Sequence, residues 1–400
     1  MDITILSARS QPEIKHLMRN IGVDSRGIGI MAPKAVSYLI KINKLDNIAA
    51  NILKQETLSL GADTAVSKDT LTGKIKHTDC LLIANSLQLG RLCDKLKLQP
   101  YGLSEIAENI KSAISNYETI GFILETKGYK LNLTARTHIM GILNITPDSF
   151  SGDGLYKQYS VNEIIDFAKE MAEDGADILD IGGESSRPGA KTVSLKEELK
   201  RAIPVIRAVS KKVKIPISID TYKSEVARQA LDNGAQIVND ITALSGSRDM
   251  VKVIKKYNCP VILMHTRGAP DNTRNNPRYK DVTAEIISYL KNRIDFSILN
   301  GINPNKIVID PGIGFGKTVE HNLTIIKNLR EFKTLGRPLL IGTSRKSFIG
   351  KILGSPPKAR LNGTLASVCM SAMNGANIVR VHDVKETKEA LKIIDKVRKC

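Results

Sequence analysis

The sequence predicts an α/β protein, a (βα)8 barrel over residues 121–400 preceded by a smaller α/β domain over residues 1–120. Two observations carry this reading. From about residue 139 onward, eight short apolar runs recur with helical patterns between them. The runs are near-continuous Val, Ile and Leu and do not alternate, as expected of strands covered on both faces. Eight βα units in about 260 residues is the size of such a barrel. An open doubly wound sheet would carry a Gly-rich turn after its first strand, where this chain reads Asn144-Ile145-Thr146-Pro147.

Taken in order, the first region reads as a strand at 36–42, a helix at 47–60, an apolar run at 80–84 and helices at 86–96 and 104–116. Gln99-Pro100-Tyr101-Gly102 is a turn. A hairpin over 127–137, with Gly128 at its tip, is placed to close the barrel floor. The barrel strands are expected at 139–145, 176–183, 216–220, 235–240, 260–265, 306–312, 338–344 and 376–383. Helical periods fall at 162–175, 195–212, 281–300 and 319–334, with a last helix at 385–399. Gly175, Gly234 and Gly375 each precede a strand, as left-handed helix caps do.

A net charge of +18 suits either nucleic acid or a small anionic substrate. There is no helix-turn-helix, zinc-finger or RNP-like pattern, and lysines such as Lys392, Lys396 and Lys399 fall on solvated helix faces. A small-molecule substrate is therefore expected, and no nucleic acid. Cys80, Cys93, Cys259, Cys369 and Cys400 are odd in number and lack metal-ligand spacing, which reads as reduced cytosolic thiols. No apolar run reaches the roughly 18 residues of a membrane span. Met1-Asp2-Ile3-Thr4 lacks the regions of a signal peptide, so a cytoplasmic location is expected.

Barrel active sites are built at the C-terminal ends of the strands. Here those ends carry Asn144, the 184–189 loop, Asp220, Asn239, His265, Asp310, Lys346, and Arg380 with His382. One such residue has an innocent reading as a cap or turn; a polar group at every end predicts a polar pocket. Arg380, His382, Arg187, Arg345 and Lys346 offer cations and donors for a phosphate-bearing substrate. Asp310, Asn239 and Asp220 offer acceptors and an amide for a flat heterocycle. The chain has no Ser-His-Asp order, no paired zinc histidines and no Gly-Lys-Ser phosphate loop, which argues against a hydrolase, a zinc enzyme and an ATPase.

The stretch 140–151, Met-Gly-Ile-Leu-Asn-Ile-Thr-Pro-Asp-Ser-Phe-Ser, resembles the first signature of the dihydropteroate synthases, and 180–190, Asp-Ile-Gly-Gly-Glu-Ser-Ser-Arg-Pro-Gly-Ala, resembles the second. Ser218-Ile219-Asp220-Thr221, Val238-Asn239-Asp240-Ile241, Leu263-Met264-His265, the Asp310–Lys317 stretch, Ser344-Arg345-Lys346-Ser347 and Arg380-Val381-His382-Asp383-Val384 follow in the family's order. The resemblance covers about residues 125–400.

It implies transfer of a pterin methyl carbon from diphosphate to the nitrogen of p-aminobenzoate. Asp220, Lys346 and Arg380 are then the catalytic residues. The pterin would meet Asp220, Asn239, Ile241, Met264, Asp310, Phe315, Gly342, Lys346 and Arg380, and the diphosphate Asn144, Arg380 and His382. Phe150, Ser186, Arg187, Pro188, Lys346 and Ser347 would meet the aminobenzoate. Asn144 would serve Mg2+, the one cofactor implied, and a homodimer through the late helices is the implied assembly. Gly152-Asp153-Gly154 stands where the family reads Asp-Gly-Gly, so the loop aspartate is displaced by one place, and Ser186 replaces a common Thr. A methyltetrahydrofolate–corrinoid methyltransferase shares the pterin positions but needs neither the diphosphate residues nor the Ser186–Gly189 loop. Residues 1–120 lack the closely spaced carboxylates of a fused pyrophosphokinase, and an accessory domain is expected.

Overall fold

The computed structural model describes residues 1–8, 10–119, 121–146, 159–184, 192–267 and 277–399. The chain divides into two compact units, Met1–Ser115 and Asn116–Cys400.

The first unit runs α1 (Gln11–Asn20), α2 (Ser25–Ala35), β1 (Ser37–Asp46), α3 (Asn47–Leu58), β2 (Asp63–Ala65), β3 (His77–Asn85), α4 (Ser86–Leu96) and most of α5 (Leu103–Glu118). β3 lies between β1 and β2, antiparallel to both. Its residues alternate between exposed and buried, the period of a strand with one covered face. Cys80, Leu82 and Ala84 thereby meet Leu53, Leu89, Leu92, Leu96 and Leu103 in one core. The sequence reading misses α1, α2 and β2. α1 is short and buries none of its residues, and β2 is three residues long.

The second unit opens with the hairpin β4 (Ile123–Thr126) and β5 (Tyr129–Asn132). Gly128 is in its turn as expected, with φ +89°, but the hairpin begins earlier than 127. Eight parallel strands follow: β6 (His138–Asn144), β7 (Ile178–Gly182), β8 (Ile217–Asp220), β9 (Ile237–Asp240), β10 (Val261–Met264), β11 (Ile307–Asp310), β12 (Leu340–Ile341) and β13 (Ile378–Val381). Their order is β11-β10-β9-β8-β7-β6-β13-β12, and a single bridge between Ile309 and Leu339 closes the ring. The helices are α6 (Val161–Glu173), α7 (Leu195–Val209), α8 (Ser224–Asp232), α9 (Met250–Tyr257), α10 (Val282–Leu299), α11 (Val319–Lys327), α12 (Ser347–Leu353), α13 (Leu361–Met373) and α14 (Val384–Val397). The expected (βα)8 barrel is present.

All eight strands stand where the apolar runs place them. β12 is shorter than 338–344; just before it the Asn377 side chain accepts from Leu339 N, and Asn377 N–H donates to Leu339 O. α6 begins with a reciprocal Ser160/Glu163 cap. It ends at Gly175, where φ of +104° returns the chain to β7.

Strand periodicity sorts the core into two. Ile139, Leu143, Leu179, Ile181, Ile219, Val238 and Leu263 face outward and pack in the helix-covered cluster. Met140, Ile178, Ile237, Ile262, Val308, Leu340 and Ile378 face inward and form a separate apolar layer with Leu124 and Leu133. Leu124 lies in β4 and Leu133 just past β5, so the hairpin seals the barrel floor. Among the described residues, no helix is long and apolar enough to cross a membrane.

Candidate active site

Two residues along each strand from that floor, the same inward face turns polar. Asp180 follows Ile178, Asn239 follows Ile237, Asp310 follows Val308 and Arg380 follows Ile378. Asp220 pairs in register with Asn239 and Gly182. The period of two therefore puts these groups in one layer above the apolar plug.

Arg380 binds this layer together. Its Nε donates to Asp180 Oδ2 at 2.6 Å and its terminal nitrogen to Asp220 Oδ2 at 2.9 Å. Asn239 Nδ2 donates to the same Asp180 oxygen at 3.0 Å. Asp180 is fully buried, and its Oδ1 has no hydrogen-bond partner among the described residues. Burial pushes Asp220 up to about 7, against the pull of Arg380 and with Asp180 adding to the rise. Burial likewise lifts Asp310 to about 6, opposed by the Gly312 N–H, which donates to its Oδ1 at 2.7 Å, and by nearby Lys346. The Asp310 turn demands glycine at 312: φ is +70°, and a Cβ there would lie 2.0 Å from the His265 carbonyl oxygen.

Beside the carboxylates, Ile241, Met264 and Phe315 form an apolar cluster of their own, with Tyr222 packed on it. Lys346 Nζ lies 4.2 Å from the Phe315 ring centre, a cation–π contact. Ser344 Oγ and His382 Nδ1 are 2.9 Å apart. The assembly sets the hydrogen-bonding groups of the polar layer beside an apolar cluster, with Lys346 against the Phe315 ring; this arrangement is the candidate slot for a flat ligand.

A family model described as pterin binding enzyme matches residues 140–382. A dihydropteroate synthase of Synechocystis is 50% identical over 261 residues, covering 65% of this chain and 90% of that protein. The chain belongs to the dihydropteroate synthase family. A solved structure of the Xanthomonas albilineans dihydropteroate synthase with 4-aminobenzoic acid superimposes with a TM-score of 0.65 at 40% identity, over 70% of this chain and 99% of that one. A Halobacterium salinarum protein, named a probable bifunctional folylpolyglutamate synthase/dihydropteroate synthase, is 37% identical over 97% of this chain and 46% of its own length. That alignment extends into the first unit.

For a dihydropteroate synthase, the structure brings together Asp220, Asn239, Ile241, Met264, Asp310, Phe315, Lys346 and Arg380 in or beside the slot. Gly342 lies one residue beyond β12, beside Arg380, whose Cβ would be 3.7 Å from a Cβ built on Gly342. Asn144 ends β6, half-buried, opposite Gly182. Ser347 is exposed at the first position of α12, whose cap residue Lys346 makes no side-chain cap bond. Phe150, Ser186, Arg187 and Pro188 lie outside the described residues.

Two rim residues have partners of their own. Arg345 commits two of its guanidinium nitrogens to Asp383, at 2.5 and 3.1 Å, and its backbone sits at φ +55°. His265 follows the inward-facing Met264, so it turns outward onto Tyr289, 4.9 Å away. Burial holds it down at about 3, and its Nδ1 lies 3.0 Å from Lys317 Nζ. Lys317 also donates to Phe315 O at 3.0 Å and bears, by burial, a pKa lowered to about 7. Asp180 and Lys317 have no role in the sequence reading. The signal for Asp180 is its place two residues past Ile178 on an inward face.

Among the described residues no group of three or more His, Cys, Asp and Glu side chains is placed to hold a metal ion. Asn144 offers a single amide oxygen. That fits Mg2+ bound chiefly by substrate phosphate oxygens and water, the ion's usual mode.

Proposed function

We propose that the barrel condenses 6-hydroxymethyl-7,8-dihydropterin diphosphate with p-aminobenzoate, giving 7,8-dihydropteroate and diphosphate. The observation that carries the reading is the buried layer of Asp310, Asn239, Asp220 and Arg380 directly above the floor. Such buried acceptors call for a ligand that brings donors. An aminopyrimidinone edge brings two adjacent N–H groups, and among the described residues only Gly312 N–H donates to the Asp310 carboxylate, at Oδ1. Ile241, Met264 and Phe315 then wall the rings, while Lys346 and Arg380 bring positive charge to the pterin carbonyl and the diphosphate.

In this reading the C–O bond to diphosphate breaks first, and the pterin methylene carries the developing positive charge. Asp220 lies where its carboxylate stabilises that charge through the ring nitrogen. Its pKa near 7 lets it be ionised at neutral to mildly alkaline pH. The aniline nitrogen attacks the methylene carbon and then loses its proton. Asn144, Arg380 and His382 hold the departing diphosphate, and Mg2+, when bound beside Asn144, shares its charge. Phe150, Ser186, Arg187, Pro188, Lys346 and Ser347 hold the aminobenzoate, with its carboxylate near Ser347.

A coupled assay for diphosphate release tests the proposal. Release should require both substrates; release with the pterin substrate alone at the same rate would count against it. We further propose a cytoplasmic homodimer. Leu323 on α11, Ile352 and Leu353 on α12 and Met370 on α13 leave exposed apolar surface on helices in mutual contact. Sedimentation analysis reports the assembly state.

A further inference from the structure

Asp180 is the middle residue of β7 and is fully buried. Its neighbours Leu179 and Ile181 belong to the helix-covered core, so the period of two turns Asp180 inward. One of its oxygens, Oδ2, accepts twice: from Arg380 Nε at 2.6 Å and from Asn239 Nδ2 at 3.0 Å. The other, Oδ1, has no partner among the described residues, and neither has Oγ of Ser218, which pairs with Asp180 in register on β8. Burying a carboxylate is unfavourable unless it is paired and bonded. Charge balance alone does not call for this one, because Arg380 also faces the Asp220 carboxylate at 2.9 Å.

What Asp180 adds is direction. An ionised carboxylate only accepts, so the Asn239 amide can face it only with its NH2 group. Turned over, the amide would set its Oδ1 against Asp180 Oδ2, acceptor against acceptor. The Asn239 oxygen is thereby held on the side away from Asp180. Among the described residues, the Asn239 side chain has no other hydrogen bond that would choose between the two orientations. Arg380 is treated alike: with Nε on Asp180 and a terminal nitrogen on Asp220, the plane of its guanidinium is fixed at two points.

We propose that Asp180 is a positioning residue for the pterin: through one oxygen it sets the orientation of the Asn239 amide and of the Arg380 guanidinium. This rests on the reading that Asn239 and Arg380 meet the pterin. Without Asp180, the amide would offer its donor and its acceptor in either order, and ordering it would weaken binding of the ligand.

The test uses variants of the full chain and calorimetry with 6-hydroxymethylpterin, with circular dichroism and a melting curve to establish folding. Asp180→Asn retains an oxygen at the Oδ2 position, so both hydrogen bonds persist while the charge is lost. Its affinity should stay within about fivefold of the parent. Asp180→Ala removes the acceptor and leaves Arg380 paired with Asp220, so no buried charge is stranded. Its affinity should fall by about ten- to hundredfold, while the KM for p-aminobenzoate at saturating pterin substrate changes by less than about threefold. Asp180→Leu, also without an acceptor, serves the same end should the alanine chain not fold. Asn239→Ala measures the contact of the amide itself, and combined with Asp180→Ala the two losses should fall short of their sum. A folded Asp180→Ala or Asp180→Leu chain with parental affinity, beside an Asn239→Ala chain that binds weakly, would overturn the role of Asp180 and leave the pterin reading standing. Parental affinity in Asn239→Ala as well would overturn both. An Asp180→Asn chain as weak as Asp180→Ala, or losses that simply add, would overturn the proposal by showing that charge or packing, and not orientation, is what Asp180 supplies.

Discussion

Replacing Asp310 by asparagine keeps the shape of the slot and alters its chemistry at one point. The carboxylate is 6% exposed, with Oδ1 taken by the Gly312 N–H at 2.7 Å. Asparagine has one oxygen. If that oxygen stays on Gly312, the amide NH2 opposes the pterin's own N–H donors; if it turns to the pterin, the NH2 opposes Gly312. Either arrangement buries a donor against a donor. Two charge-assisted hydrogen bonds of roughly 1.5–3 kcal/mol each are lost or compromised. Relief of the carboxylate's burial, which lifts its pKa to about 6, returns part of that. A net loss of about 2–5 kcal/mol follows, weakening pterin binding by roughly 30- to 5000-fold. Binding of p-aminobenzoate should suffer less.

The same group sets a pH dependence. The pterin needs the carboxylate, and the free site holds a proton below about pH 6. Parental affinity should therefore be level above that value and fall by about tenfold per pH unit below it, as binding has to displace the proton. The Asp310→Asn chain should lack this limb. Calorimetry with 6-hydroxymethylpterin across pH reads both effects, with circular dichroism as the folding control. A folded variant that keeps parental affinity, or keeps the acid limb, would show that Asp310 does not hold the pterin.

Arg187→Ala should raise the KM for p-aminobenzoate and leave pterin binding nearly intact; selective loss of pterin affinity in calorimetry would mean that the two pockets are exchanged. Gly312→Ala should lower stability by about 2–3 kcal/mol or more, through its positive φ and the overlap with the His265 carbonyl. An unshifted thermal midpoint would refute that. A chain trimmed to residues 121–400 keeps the floor hairpin and should turn over within about tenfold of the full chain, a barrier change under about 1.4 kcal/mol. It should nonetheless melt below a chain that starts at Asn116, whose Nδ2 donates to Thr334 O at 3.0 Å, a bond worth about 0.5–1.5 kcal/mol. A folded but inactive 121–400 chain would place catalytic function in the first unit.

The barrel was legible because its strands are short, apolar and regularly spaced, which local pattern records well. Less legible was which residue of each run faces inward. Asp180 sits inside an apolar run and looks incidental until its register beside Ser218 places it on the inner face. His265 looks like a rim residue until Met264 takes the inward position. The commitments of Arg345 to Asp383 and of Lys317 to the His265 imidazole join residues 38 and 52 positions apart. No local spacing encodes such pairs. In the first unit α1 escaped notice because its amphipathic face covers no core.

The hairpin that plugs the lower end of the barrel also governs traffic. With Leu124 and Leu133 stopping that end, the described part of the interior is a blind well that opens toward the C-terminal ends of the strands. If the pterin occupies the bottom, it has to arrive before the aminobenzoate and cannot depart past it. A blind well thus imposes a queue: the substrates load in sequence, and a molecule lodged at the mouth traps whatever lies beneath it. Such trapping would appear as an aminobenzoate mimic that slows pterin release without touching it.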